Sequence, residues 1–283
     1  MDKIRFFLGC EIGLKCAIVP FMNENVVQEA TVLPDYLSQS DDQLMKMSGR
    51  EFADALVERS KLWAWDVQDP EKYKILELDP DEKQQVRSRW AERHAWMEWW
   101  FGVPVPAKQI VLLPNEDFGI KLLLSQQIID EVKHQRLLSR RAAALGGSAK
   151  IENYVPEPEI VSNAPEKMTD SESPLEIAAA LQCTGEVIVN ENTTARSVLF
   201  RLIDEETQQL FVDEIAPDEI RHIGVGVKIV TKYASTPELR RLVLKIQNRK
   251  FLSTYQRYLV DYRRFGAERT APEPVVGGNT VAS

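Results

Sequence analysis

Two four-residue motifs place a carboxylate and an imidazole at the same spacing. Residues 131–134 read Glu-Val-Lys-His and residues 219–222 read Glu-Ile-Arg-His. Positions i and i+3 of a helix share one face, so each motif directs a glutamate and a histidine toward one point. An aspartate, Asp130 or Asp218, stands immediately before each glutamate. One such motif is typical of a solvated helix surface, and two in one chain are by themselves only suggestive of a metal site.

Two further glutamates complete a repeated pattern. Glu98 precedes Glu131 by 33 residues and Glu186 precedes Glu219 by 33, so the second set follows the first at an offset of 88. An antiparallel helix pair with this separation brings its two glutamates to one level. One glutamate from each of two helices and a Glu-x-x-His from each of two others is the ligand set of di-iron carboxylate bundles. The predicted metal ligands are Glu98, Glu131, His134, Glu186, Glu219 and His222.

The chemistry of iron accounts for these residue types. Four carboxylates compensate most of the charge of two divalent irons, and imidazole suits iron while leaving coordination positions open for dioxygen. Burial of so many charges without a metal would be very costly. We therefore expect a centre of two iron ions, with Fe/Fe and Mn/Fe both open, rather than a coincidental set of surface residues.

The elements that must position these residues are helices. Apolar residues recur at three- and four-residue spacing, which predicts an all-α protein. The predicted helices cover 49–66, 82–101, 117–145, 174–203, 205–233 and 237–264. A weak strand signal lies at 108–113. Gly102, Pro104 and Pro106 predict that the helix of Glu98 ends within two turns.

Composition divides the chain into three predicted regions. An N-terminal helical extension covers 1–80, the metal-binding bundle covers 81–266, and a disordered tail covers 267–283. Within the bundle, the polar, proline-containing segment 148–171 predicts one long crossing connection. Pro217 predicts a kink or a start in the last ligand helix, and such breaks could open a substrate channel or be ordinary kinks.

The motifs resemble a known family. EWWFGVPVP at 98–106, followed by IIDEVKHQRLLSRRAAALGG at 128–147, resembles the ferritin-like di-iron oxygenases, nearest to the catalytic subunit of phenylacetyl-CoA oxygenase. Glu186 and DEIRHIG at 218–224 are similar to the closing half of that superfamily. The resemblance implies a ferritin-like four-helix bundle with additional N- and C-terminal helices. It also implies dioxygen activation and an external electron donor, such as a reductase or a ferredoxin.

Three functions follow from this ligand set. The expected one is a di-iron oxygenase or oxidase of the monooxygenase kind, which would hydroxylate, epoxidise or N-oxygenate a small organic substrate, free or bound as a thioester or to a carrier. The alternative is a ferritin-type ferroxidase or iron-handling protein, although ferritins usually have shorter chains. A scaffold subunit without metal is disfavoured by the complete ligand set. We expect a homodimer.

Several aromatic residues and one more histidine surround Glu98 in the sequence. Arylamine N-oxygenases, which are relatives of the ferritin-like di-iron oxygenases, have an additional histidine ligand. His94 is the one histidine of this chain outside the two motifs. A supporting or surface role for His94 is the favoured interpretation. A tryptophan cluster could shape a substrate pocket or an electron path, although core packing is the better interpretation. Its members are Trp90, Trp96, Trp99 and Trp100.

The last predicted helix is rich in cations and aromatic residues. On an acidic protein it could dock an acyl carrier protein or a coenzyme A phosphate, or it could be a solvated face. Its cations are Arg240, Arg241, Lys245, Arg249, Lys250, Arg257, Arg263 and Arg264.

Composition disfavours nucleic-acid binding, membrane insertion and secretion. A net charge of −8 disfavours nucleic acid as a partner. No stretch approaches the roughly 20 apolar residues of a membrane span, and Glu11 and Lys15 interrupt the apolar N-terminus, so we expect no membrane and no signal sequence. Three scattered cysteines favour a reducing cytoplasm over a disulfide framework. Cys10 and Cys16 could form a redox pair, although two buried side chains are the simpler interpretation.

Overall fold

The structure, a computed structural model, describes residues 41–67, 80–156, 171–194 and 204–264. In these ranges the chain is mostly helical and has no strand. The prediction of an all-α protein is therefore confirmed for the described residues. The predicted tail at 267–283, Cys10 and Cys16 lie outside them.

Ten α-helices follow one another along the described chain. They are α1 Asp41–Lys46, α2 Gly49–Val67, α3 Pro80–Met97, α4 Pro104–Leu112, α5 Phe118–Ala144, α6 Pro174–Ala180, α7 Glu186–Thr194, α8 Glu205–Leu210, α9 Ala216–Tyr233 and α10 Pro237–Arg264. Single π turns at Glu98–Gly102, Leu181–Gly185 and Phe211–Ile215 join α3 to α4, α6 to α7 and α8 to α9. With α5, these joined pairs make four helical stretches.

The predicted helix bounds are mostly confirmed. The predictions at 49–66 and 237–264 match α2 and α10, and the part of 174–203 beyond Thr194 lies outside the described residues. The strand signal at 108–113 is wrong, because most of that segment lies in α4. Pro104 starts α4 at a position where its missing N–H costs nothing, and the chain becomes extended at Leu113. The expected break after Glu98 is therefore a π turn that leads into another helix.

Side-chain caps fix the starts of several helices. Ser173 accepts a hydrogen bond from the backbone N–H of Glu176 at the start of α6, and Asp204 accepts one from Thr207 at the start of α8. Thr236 accepts one from the N–H of Leu239 at the start of α10. Each cap satisfies a backbone donor that has no partner inside the helix.

Two apolar clusters flank a polar layer in the middle of α5 and α9, which contains Glu131 and His134 of α5 and Glu219 and His222 of α9. Leu124 of α5 and Val225 of α9 belong to a large cluster formed with α2, α6 and α10. Leu138 of α5 belongs to a second cluster, which contains Trp90 of α3 and Ile215 of the third π turn. The predicted ligands of α5 and α9 lie between these clusters, so apolar packing on both sides holds them in place.

Gly226 allows α9 to approach the second π turn closely. A Cβ atom at this position would lie 2.4 Å from the Cβ of Gln182 and 3.0 Å from the Sγ of Cys183. A larger residue would push α9 away from the segment that leads into Glu186. The glycine therefore sets the spacing between two of the ligand-bearing stretches.

The structure corrects part of the basic surface predicted for α10. Arg240 is buried, and its guanidinium donates to the carbonyl oxygens of Ala234, Met45 and Met47. Its charge therefore joins α1 to α10 and does not face a partner. Lys245 and Arg249 are exposed. Among the described residues, no helix is long and apolar enough to cross a membrane.

Candidate metal centre

All six predicted ligands meet in the polar layer. The first group comprises Glu98, Glu131, His134 and Glu219, and the second comprises Glu131, Glu186 and His222. In each group, one ligand atom from every member lies within 4.8 Å of the others. Glu131 belongs to both, so the two groups form one cluster with a His134 side and a His222 side.

A π turn lies next to the predicted ligand glutamate in three of the four helical stretches. Glu98 opens the first π turn, Glu186 follows the second, and the third ends four residues before Glu219. A π turn adds one residue to a helical turn and changes the direction of the side chains beyond it, which is why such turns recur at functional sites. Their positions here place three irregular turns beside the candidate ligands.

Gly102 leaves room for the shared carboxylate. A Cβ atom at Gly102 would lie 3.0 Å from both Cγ and Cδ of Glu131. The first π turn can therefore pass close to Glu131 because its last residue lacks a side chain. This explains the glycine that follows the predicted ligand Glu98.

Within the described part of the chain, four buried atoms of the cluster have no hydrogen-bond partner, and a cation would satisfy them. They are Oε2 of Glu131, Nδ1 of His134, Oε2 of Glu219 and Nδ1 of His222. His134 Nδ1 lies 3.3 Å from Glu131 Oε2, and His222 Nδ1 lies 3.3 Å from Glu219 Oε2. Buried polar atoms without partners are rare in folded proteins and costly. Carboxylate and imidazole atoms at this separation could hold a divalent metal.

The two aspartates that precede the motifs orient the opposite histidine. Nε2 of His134 lies 3.0 Å from Asp218 Oδ2, and Nε2 of His222 lies 3.3 Å from Asp130 Oδ2. A carboxylate acceptor holds a proton on Nε2 and leaves Nδ1 as the atom directed at the cluster. Arg221 donates to both aspartates, so a single guanidinium links the two pairs. The local sequence showed the aspartates but not this exchange between helices.

Burial and mutual repulsion raise the pKa of two carboxylates in the cluster. Burial raises the pKa of Glu98 well above its usual range, and so does the charge of Glu131. Burial likewise raises the pKa of Glu219 well above its usual range, with the charge of Glu186 as the next cause. Burial acts in the same direction on Glu131, but the imidazoles of His222 and His134 outweigh it and lower its pKa to about 2.

Burial and neighbouring charges also set the pKa of the imidazole on the His222 side. Burial alone would lower the pKa of His222, but the carboxylates of Glu131 and Asp130 raise it to about 9. These shifts favour protons on Glu98, Glu219 and His222. A bound cation would displace them.

Three fully buried glutamines next to the cluster were missed by sequence reasoning. Gln127 donates from Nε2 to Oε1 of Glu131 at 3.2 Å and to Oε1 of Glu186 at 3.3 Å. Gln182 and Gln109 continue the hydrogen bonds away from the cluster. A signal existed, since Gln127 and Gln182 each stand four residues before a ligand glutamate and so share its helix face.

The other residues near Glu98 contribute less to the cluster. His94 belongs to neither ligand group, and its ring lies 3.9 Å from that of Trp90. Trp90 is buried in the core and contacts Phe211, which confirms core packing for this tryptophan. Trp99 and Trp100 are 40% and 53% exposed, so core packing is wrong for these two.

Comparison of the chain with family models, curated proteins and solved structures finds no match. The interpretation of the cluster therefore rests on the residues and on their geometry.

Proposed function

We propose that the cluster binds two iron ions, one on the His134 side and one on the His222 side. The observation that carries this proposal is the set of four buried, unpartnered donor atoms on Glu131, His134, Glu219 and His222. Glu131 presents one oxygen to each histidine, at 3.3 Å in both cases, and Glu219 does so at 3.6 Å and 3.3 Å. Glu131 and Glu219 would therefore help to hold the metals on both sides.

The remaining carboxylates divide between the two sides. Glu98 groups with His134, and Glu186 groups with His222, so each position has one carboxylate and one imidazole of its own. Four carboxylates and two imidazoles, without a thiolate, favour iron or manganese over softer metals. One ligand set drawn from four helical stretches supports a ferritin-like four-helix bundle as the fold.

The function we propose is oxidation of a small organic substrate by dioxygen. A di-iron pair would supply the dioxygen chemistry, as an oxygenase or oxidase of the monooxygenase kind. The chain would orient the imidazoles through Asp130 and Asp218 and keep water away with the apolar clusters. Glu98 is half-buried while the other ligands are buried, so a small molecule could approach from its side.

An external electron donor and a homodimer are part of the same proposal. The outward residues Phe118, Leu122 and Ile129 lie on one face of α5 and are strongly exposed, which supports a second copy covering that face. Lys245 and Arg249 keep α10 available for an acidic carrier or a phosphate group. Size-exclusion chromatography gives the size of the assembly directly.

Addition of excess ferrous iron and air to the full chain tests catalysis against storage. An oxygenase should take up about two irons per chain, consume dioxygen in proportion to them and form no mineral core. Soluble uptake of many irons per chain, together with a shell-sized assembly, would instead establish the ferritin-type alternative. A screen of acyl thioesters, amines and aromatic compounds with the iron-loaded protein then identifies the substrate class.

A further inference from the structure

A chain of three buried amides leads to one side of the cluster. Gln109 of α4, Gln127 of α5 and Gln182 of the second π turn are all fully buried. Glutamine is seldom fully buried, because each amide offers two donors and two acceptor sites that must be satisfied. A hydrocarbon side chain would pack here at lower cost, unless the neighbouring carboxylates required a donor.

The carboxylates dictate the direction of this chain. Ionised carboxylates only accept hydrogen bonds, so Gln127 must turn its NH2 group toward Glu131 and Glu186. Its carbonyl oxygen then accepts from Nε2 of Gln182 at 3.2 Å. Nε2 of Gln182 also donates to Oε1 of Gln109 at 2.7 Å, and Nε2 of Gln109 donates to the carbonyl of Pro174 at 3.3 Å. Each amide thereby fixes the orientation of the next.

The amide contacts are confined to the His222 side. Gln127 touches Oε1 of Glu131, the oxygen that lies 3.3 Å from His222 Nδ1, and leaves Oε2, which faces His134, unpartnered. Its second contact, Glu186, belongs to the His222 group alone. No hydrogen bond from the three glutamines reaches Glu98 or Glu219 within the described residues.

We propose that Gln127 is a positioning residue that holds Glu131 and Glu186 for the metal on the His222 side, so the two metal positions differ in affinity. This inference rests on the proposed di-iron site. Gln182 supports Gln127 from behind, and its own position is fixed by the close approach at Gly226 on the ligand helix α9. Without Gln127, both carboxylates lose a hydrogen-bond donor. Metal binding must then order their side chains, which costs conformational entropy.

Anaerobic metal titration of the full chain tests this inference. Ferrous iron is titrated into wild type, Gln127→Leu and Gln182→Leu by calorimetry, and Co(II) absorption provides a second readout. Gln127→Leu should weaken metal affinity by about 10- to 100-fold at one position, the one that His222→Ala also removes. The affinity of the His134 position should stay within about threefold of the wild-type value. Gln182→Leu should act in the same direction with a smaller effect. It carries the test if Gln127→Leu does not fold.

The matched control is Gln135→Leu, on the same helix, where the amide donates to Ser139 Oγ at 2.8 Å and not to the cluster. It should leave both affinities unchanged. Equal affinities for wild type and Gln127→Leu at both positions would overturn the positioning role but keep the di-iron proposal. Equal weakening of both positions in Gln127→Leu would overturn the proposed asymmetry. Wild-type protein that binds no metal would overturn both proposals.

Discussion

The two sides of the cluster have matching ligands but different surroundings. On each side a histidine is held by the aspartate that precedes the opposite motif. The His222 side is also held by the buried amide of Gln127, whereas Glu98 on the His134 side is half-buried. The repeated motif therefore brings the candidate ligands together, while residues outside it anchor one side and leave the other more accessible.

Removal of each histidine in turn should give the largest difference between the sides. His134→Ala and His222→Ala should each lose one metal per chain and keep the other, because each imidazole belongs to one group. Dioxygen-dependent turnover should be lost in both. Elemental analysis after anaerobic reconstitution provides the count, and His94→Ala is the matched control. If either variant kept both metals, the assignment of the sides would be wrong.

The crossed aspartates should give the next largest effect. Asp218→Asn should weaken metal binding on the His134 side, and Asp130→Asn on the His222 side, by about 10- to 100-fold each. Asp117→Asn is the control, since this carboxylate accepts from Lys232 and Tyr233 at the far end of α9. Calorimetric titration measures the affinities. The crossed assignment would be wrong if each aspartate variant instead weakened metal binding on the side of the histidine in its own motif.

The protons on the cluster predict how stability depends on pH. Glu98, Glu219 and His222 have raised pKa values when folded, so they stabilise the metal-free protein at low pH and this contribution is lost as the pH rises through those values. A bound metal replaces their protons. The increase in melting temperature on adding metal should therefore be larger at about pH 8.5 than at about pH 6. Calorimetric scans with and without metal provide the comparison, and an increase that shrinks with pH would contradict this account.

Gly102 should give the smallest effect. Gly102→Ala places a Cβ atom against Glu131, which both sides share, so it should weaken both positions by a few fold. Gly119→Ala is the control, because a Cβ there meets nothing within 4 Å and should only raise helix stability, by about 0.5–1 kcal/mol. Titration and thermal unfolding separate the two results. Weakening confined to one side would show that the contact with Glu131 does not act as described.

The grouping of the six candidate ligands could be predicted from sequence because each motif is local to one helix face and the spacing of 33 residues relates paired helices. The strand signal at 108–113 misled, since a short apolar run does not distinguish a strand from a buried helix. Arg240 was misplaced because it donates to the backbone carbonyls of Met45 and Met47, which composition does not show. The role of Gln127 was missed for a similar reason, as it depends on Glu186 from another helix.

The central claim is that the six ligands form one site for two metals, and metal content tests it most directly. Protein reconstituted anaerobically with ferrous iron and freed of excess metal should contain close to two irons per chain. Glu131→Ala, which removes the carboxylate common to both groups, should lose nearly all of the iron while keeping its helix content, since apolar packing holds the helices. Folded wild-type protein with an iron content near zero would contradict the account.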